Sequence, residues 1–114
     1  MARISERQKV LFEALAEVGP LSLAIGHPGV TAHIVDRCSI TSEGNEDRLD
    51  FGDGTHHLHI DWSRVKRADL GVHEGRAVLT FLDGNQVLFR LYKPEGDYPP
   101  AVVGLLGDLV PTPY

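Results

Sequence analysis

Cysteine is nearly absent from this chain: Cys38 is the only one among 114 residues. An intramolecular disulfide is therefore impossible, a thiolate zinc site is excluded, and a reducing compartment fits best. Basic residues are also scarce. Eleven Lys and Arg stand against sixteen Asp and Glu, for a formal net charge of −5. Nucleic acid needs a basic footprint, and the one basic cluster, Arg64, Lys66 and Arg67, does not supply it, so no nucleic-acid partner is expected. Long apolar runs are missing too. No window approaches the length of a membrane span, and Met1 to Val10 is polar, with no apolar signal core. The expectation is a cytoplasmic protein without membrane association. The common enzyme signatures are lacking as well: no G-x-S-x-G elbow, no P-loop, and no G-x-G-x-x-G after a strand.

What remains is ordinary globular material, 42% hydrophobic and 24% charged. The length predicts one domain over residues 1–114, with a core that needs no staples. Residues 5–18 read as a helix. Ser5 caps it, Gln8 completes a capping-box pattern, and Leu11, Leu15 and Val18 form the apolar stripe before Gly19 and Pro20 stop it.

Eight short strands follow, over 21–25, 30–36, 37–42, 47–51, 55–61, 66–72, 76–82 and 86–92. Glycine-bearing turns separate most of them. Trp62-Ser63-Arg64 suggests a short turn of helix. In the last hairpin a three-residue loop over 83–85 is expected. It would bury Leu79, Phe81, Val87 and Phe89 on one face. Residues 99–110 read as a second helix, apolar on several sides and ended by Pro111. Burial against a second subunit would account for that helix, so a homodimer through it is expected. The predicted architecture is α+β: an antiparallel β-sheet flanked by an N-terminal and a C-terminal helix.

The densest chemistry lies in Thr55-His56-His57-Leu58-His59-Ile60-Asp61. Alternate residues of a strand share a face. His57, His59 and Asp61 therefore point one way, and Leu58 and Ile60 the other, with His56. Imidazole is the commonest transition-metal ligand at neutral pH. His57 and His59 could begin a metal site with Asp61 as a third donor, or the face could be an ordinary solvated one. His27, in a Gly-His-Pro-Gly turn, could present a ring at a sheet rim. His33 reads as a packed or edge residue, and His73, in a Val-His-Glu-Gly turn, as structural. Trp62 either closes the core or lines a pocket beside His59. Cys38 reads as a small core residue, and Glu46, Asp47 and Asp50 as a solvated acidic patch.

The block His59-Ile60-Asp61-Trp62-Ser63-Arg64-Val65, continuing through Arg67-Ala68-Asp69-Leu70, resembles the haem-utilisation family of the HemS and ChuX type. So does the hairpin from Leu79-Thr80-Phe81-Leu82-Asp83-Gly84-Asn85 to Leu88-Phe89-Arg90-Leu91-Tyr92. The resemblance is to the short single-domain members, and it covers about half of the chain, residues 56–110. It implies an antiparallel sheet with flanking helices, often dimeric, that handles intracellular haem. It places His59 on the family's haem-associated histidine, and His27 near a second one. The chain departs from the pattern in lacking a glycine- and phenylalanine-rich segment before the central strand. Its terminal helix also lacks the usual aromatic.

Three functions follow. The first is an intracellular haem-binding or haem-trafficking protein, with iron held by His59, a contribution from His27, and the porphyrin contacted near Trp62. The second is a cofactor-free dimeric scaffold or regulatory domain of the same fold. The third is a metal-dependent enzyme using His57, His59 and Asp61, for which no general-base or nucleophile motif is present.

Overall fold

The structure is a computed structural model that describes residues 3–27 and 29–110, with His27 described in its backbone only. Helix α1 spans Glu6–Ala16. Ser5 caps it: its hydroxyl accepts from the Gln8 backbone N–H at 3.2 Å, and the Gln8 side chain accepts from the Ser5 N–H at 2.8 Å. Strands follow at Leu21–His27 (β1), Val30–Asp36 (β2), Cys38–Glu43 (β3), Glu46–Phe51 (β4) and His56–His59 (β5). A 3₁₀ turn at Trp62–Arg64 leads into Arg67–His73 (β6), Arg76–Asp83 (β7) and Gln86–Tyr92 (β8). The chain closes with a four-residue helix, Pro100–Val103 (α2), and a short strand, Gly107–Asp108 (β9).

The strands form two antiparallel sheets rather than one. Six strands run in the order β2-β1-β8-β7-β6-β9, and three more in the order β3-β4-β5. Both sheets and α1 bury their apolar sides in a single core. Its spine is aromatic. Phe12 on α1 meets Trp62 edge-on at 5.4 Å and stacks on Phe81 at 5.3 Å, and Phe81 stacks on Phe89 at 4.6 Å. Each such side chain, fully buried, contributes roughly 1.5–3 kcal/mol from area alone. Cys38 is also a core residue, and burial pushes its thiol pKa up to about 12.

Three expectations need correction. The last hairpin turns on two residues, Gly84 and Asn85, with Asp83 paired to Gln86 and Leu82 to Val87. A β-bulge then absorbs Leu88 and returns Phe89 to its place opposite Phe81. Phe81, Phe89, Leu79 and Leu91 are buried as expected, but Val87 lies opposite Leu82 and is 39% exposed.

The second helix ends at Val103, and Gly107, at φ +99°, lies outside any α-helical conformation. The segment instead pairs with β6, Ala68 opposite Gly107 and Arg67 opposite Asp108, and Arg67 bonds Asp108 at 3.1 Å. Val102 and Leu109 are buried in the chain's own core, while Val103 is 43% exposed. Pro111, expected to end the helix, lies outside the described residues.

The acidic patch is not solvated. Asp47 and Asp50 are 2% and 4% exposed. Asp47 accepts from the Ile4 N–H at 2.9 Å, the Ser42 hydroxyl at 2.5 Å and the Arg3 guanidinium at 3.0 Å.

Candidate functional site

A cleft of about 290 Å³ opens where the chain from Leu58 to Val65 crosses the end of β1 and the bulge of β8. Its walls are mainly apolar, with Ile25, Ile60, Leu88 and Phe89 among them, and His59 and Arg64 stand at its edge. This is the low end of the roughly 300–1,000 Å³ usual for small-ligand sites. A large flat ligand would be held along one edge, with most of its area outside.

The wall is built by local bonds. Asp61 caps the 3₁₀ turn, accepting from the Ser63 N–H at 3.2 Å and the Ser63 hydroxyl at 2.6 Å. Arg64 donates to Asp83 at 2.8 Å and to Gln86 at 2.9 Å, and Lys66 meets Asp83 at 3.0 Å, which ties the turn to the β7–β8 hairpin. These two cations hold the Asp83 carboxyl below the usual carboxylate range, the Arg64 hydrogen bond being the larger cause. From beneath, the Gln8 amide donates to the Trp62 carbonyl at 2.7 Å and the Val65 carbonyl at 2.8 Å.

His59 pairs across the ladder with Arg48, and His57 with Asp50. The two rings lie 5.7 Å apart, nearly perpendicular, on one exposed face. His59 differs from His57 in one respect: its Nδ1 lies 2.5 Å from the Glu46 carboxylate. An ionised carboxylate only accepts, so Nδ1 carries the proton. In the neutral ring the lone pair then sits on Nε2. That pairing of a histidine with a carboxylate is the usual support of a metal-bound imidazole.

The sequence-level candidates fare differently. His57 and His59 are brought together. Asp61 is taken up by its own turn, and among the described residues no three His, Cys, Asp or Glu side chains converge on a metal-sized point. Trp62 is 1% exposed, and its indole donates to the Asp47 carbonyl at 2.8 Å, so it closes the core and offers no face to the cleft. The backbone of His27 pairs with Val30 at the end of β1, two residues past Ile25, and its side chain lies outside the described residues. Glu46 was missed because it read as surface charge. The β4–β5 register, which sets it diagonally across from His59, is the signal that could have found it.

No protein-family model and no curated protein matches the sequence. Solved structures do match. A crystal structure of ChuX aligns with a TM-score of 0.58 at 11% identity, over 83% of this chain and 64% of that one. A structure of the heme binding protein ChuX gives 0.60 at 10% identity, over 88% and 68%. The chain has a HemS/ChuX-like fold. A crystal structure of a protein from Erwinia carotovora agrees, with a TM-score of 0.56 at 14% identity over 82% and 63% of the two chains. This chain therefore spans roughly two thirds of the length of these ChuX-like neighbours. At such identities the likeness concerns the fold, and a ligand must be argued from the site itself.

Proposed function

We propose that the protein binds haem at the cleft beside His59, in a trafficking or storage role. The observation that carries this reading is the Glu46–His59 contact at 2.5 Å, which fixes the ring and leaves Nε2 as the electron-pair donor. The cleft fits the group in kind: apolar walls for a porphyrin edge, and an imidazole at the rim for the iron. Bound haem would supply an iron centre whose properties depend on its axial ligand. The chain's own part is to orient His59 through Glu46, to keep water from one porphyrin edge with Ile25, Leu88 and Phe89, and to hold the turn rigid through Arg64 and Gln8. The ChuX-like fold, shared with a structure described as a heme binding protein, adds to this reading.

The competing reading is a scaffold that keeps the fold without the ligand. The small cleft and the 56% exposure of the His59 side chain speak for it. An absorption titration with haemin decides between them. Wild type and His57→Ala should give a saturable, shifted Soret band. His59→Ala should lose it while far-UV circular dichroism stays native. Glu46→Gln should weaken binding by about 10–100-fold, the usual cost of losing such a supporting bond. His27→Ala should do less than His59→Ala. Equal haemin affinity in wild type and His59→Ala would leave the scaffold reading.

A further inference from the structure

The six-stranded sheet has a second side, turned away from the core. Two adjoining depressions of about 340 Å³ and 170 Å³ run across it and share His33 and Tyr92. They meet the cleft beside His59 only at Leu88 and Phe89, the site of the bulge. The register explains what gathers there. His33, Ala24, Arg90, Thr80 and Asp69 form one cross-strand row, and Val35, Ser22, Tyr92, Val78 and Gly71 the next. The β6–β7 hairpin adds His73 opposite Arg76, and the His73 ring comes to 6.1 Å from that of Tyr92.

Three features set this groove apart. It carries two guanidiniums in an acidic protein, Arg76 and Arg90, with the imidazoles of His33 and His73 beside them, against Glu74 as the only acid in its lining, 3.8 Å from the His73 ring nitrogen. Its guanidiniums are uncommitted. Arg3, Arg48, Arg64 and Arg67 all have carboxylate partners, whereas Arg76 and Arg90, like Arg7 and Arg37 elsewhere, have none among the described residues. Its floor is low at Ala24 and Ser22, whose short side chains raise little bulk above the sheet. Guanidinium forks match the oxygens of carboxylates and phosphates and also lie flat on rings. A concave surface of one sign concentrates ligands of the other.

We propose that this outer face is a binding groove for a small organic anion with a flat body, carrying a carboxylate or a phosphate. The head group sits between Arg90 and His33, and the ring lies along Ala24 and Ser22 towards Tyr92. Arg76 and His73 take a second negative group where the ligand has one. The groove needs neither haem nor His59.

The test is a ¹⁵N–¹H titration of the full chain with three probes: benzoate, phenyl phosphate and inorganic phosphate. Saturable shifts should cluster at residues 22–24, 31–33 and 90–92, and in the Arg90 side-chain resonance. Both ring-bearing probes should bind more tightly than inorganic phosphate, and the better of the two names the head group. Arg90→Gln, an exposed substitution, should weaken binding by about tenfold or more, the scale of one charge-assisted bond. Arg76→Gln should leave these single-anion probes nearly unaffected and weaken benzene-1,3-dicarboxylate. His59→Ala should change nothing, which separates this site from the haem cleft. Shifts scattered over the surface, equal binding of inorganic phosphate, or an unchanged affinity in Arg90→Gln would overturn the proposal.

Discussion

Gln8 offers the sharpest test of how this fold holds its candidate site. It is a polar residue at 1% exposure, in a helix that the sequence already marks by its capping box. Its two amide hydrogens reach the carbonyls of Trp62 and Val65, on either side of the 3₁₀ turn. Those carbonyls are buried where water does not replace a lost donor. Gln8→Met keeps the length of the side chain and removes both donors and the acceptor for the Ser5 N–H. The Trp62 carbonyl keeps its bond from the Val65 N–H at 3.2 Å, so the groups stranded are the Val65 carbonyl and the Ser5 N–H, each at about 1–3 kcal/mol, and the added apolar surface returns part of it. The expected loss is about 2–4 kcal/mol, out of a total that for natural domains is roughly 5–15 kcal/mol.

Equilibrium unfolding in urea, followed by circular dichroism, measures this directly. With a slope of about 1.5 kcal/mol/M the midpoint should fall by roughly 1.3–2.7 M with the slope unchanged. Ser5→Ala should cost less, about 0.5–2 kcal/mol, as a lost cap. The double variant should lose less than the sum, since the two residues share the capping box. A Gln8→Met loss below about 0.5 kcal/mol would show that the freed groups find water, and that the helix does not brace the turn.

Phe89→Ala should cost about 3–5 kcal/mol, because Phe89 is 5% exposed and stacked on Phe81. Val87→Ala, at a partly exposed position, should stay within about 1 kcal/mol, and calorimetry showing equal losses would mean that the bulge is misplaced. Asp47 provides a pH signature. Its carboxyl is held below the usual range by the Ser42 hydroxyl first, then by the Ile4 N–H and Arg3, against an opposing push from burial. A lowered folded-state pKa gives stability that is complete above the ordinary carboxylate value of about 3.9 and is lost as the pH falls through the lowered one. Unfolding midpoints should therefore drop on acidification below about pH 4, and Asp47→Asn should flatten that slope; an identical slope in the variant would refute the assignment.

The parts of this structure legible in the sequence are those where local pattern and tertiary demand agree. The N-terminal helix announces itself through Ser5, Gln8 and a regular stripe. The eight main strands announce themselves through alternation and the glycines between them. What was hidden depends on partners distant in sequence. Nothing near 99–110 says that Gly107 and Asp108 will pair with β6, and the spacing of Val102, Leu106 and Leu109 suits a helix as well. The burial of Asp47 rests on Arg3 and Ile4, more than 40 residues away in the chain. The histidine pair was visible because it occupies a single strand, whereas Glu46 becomes its support only through the β4–β5 pairing.

The bulge at Leu88 joins these observations. Without it, the two-residue turn at Gly84 and Asn85 would set Phe89 against Thr80 and turn its ring out of the core. One extra residue restores the Phe81–Phe89 stack and aims Leu88 at the rim, where the cleft beside His59 and the cationic groove come closest. Bulges re-aim side chains in this way, and they gather next to sites. The simplest alternation rule therefore mislaid the hairpin register at the point where the sheet serves two surfaces at once. A sequence is expected to break its own local rules where something other than packing is being shaped. The break here lies between the two places on the described surface with the strongest chemical case for a ligand.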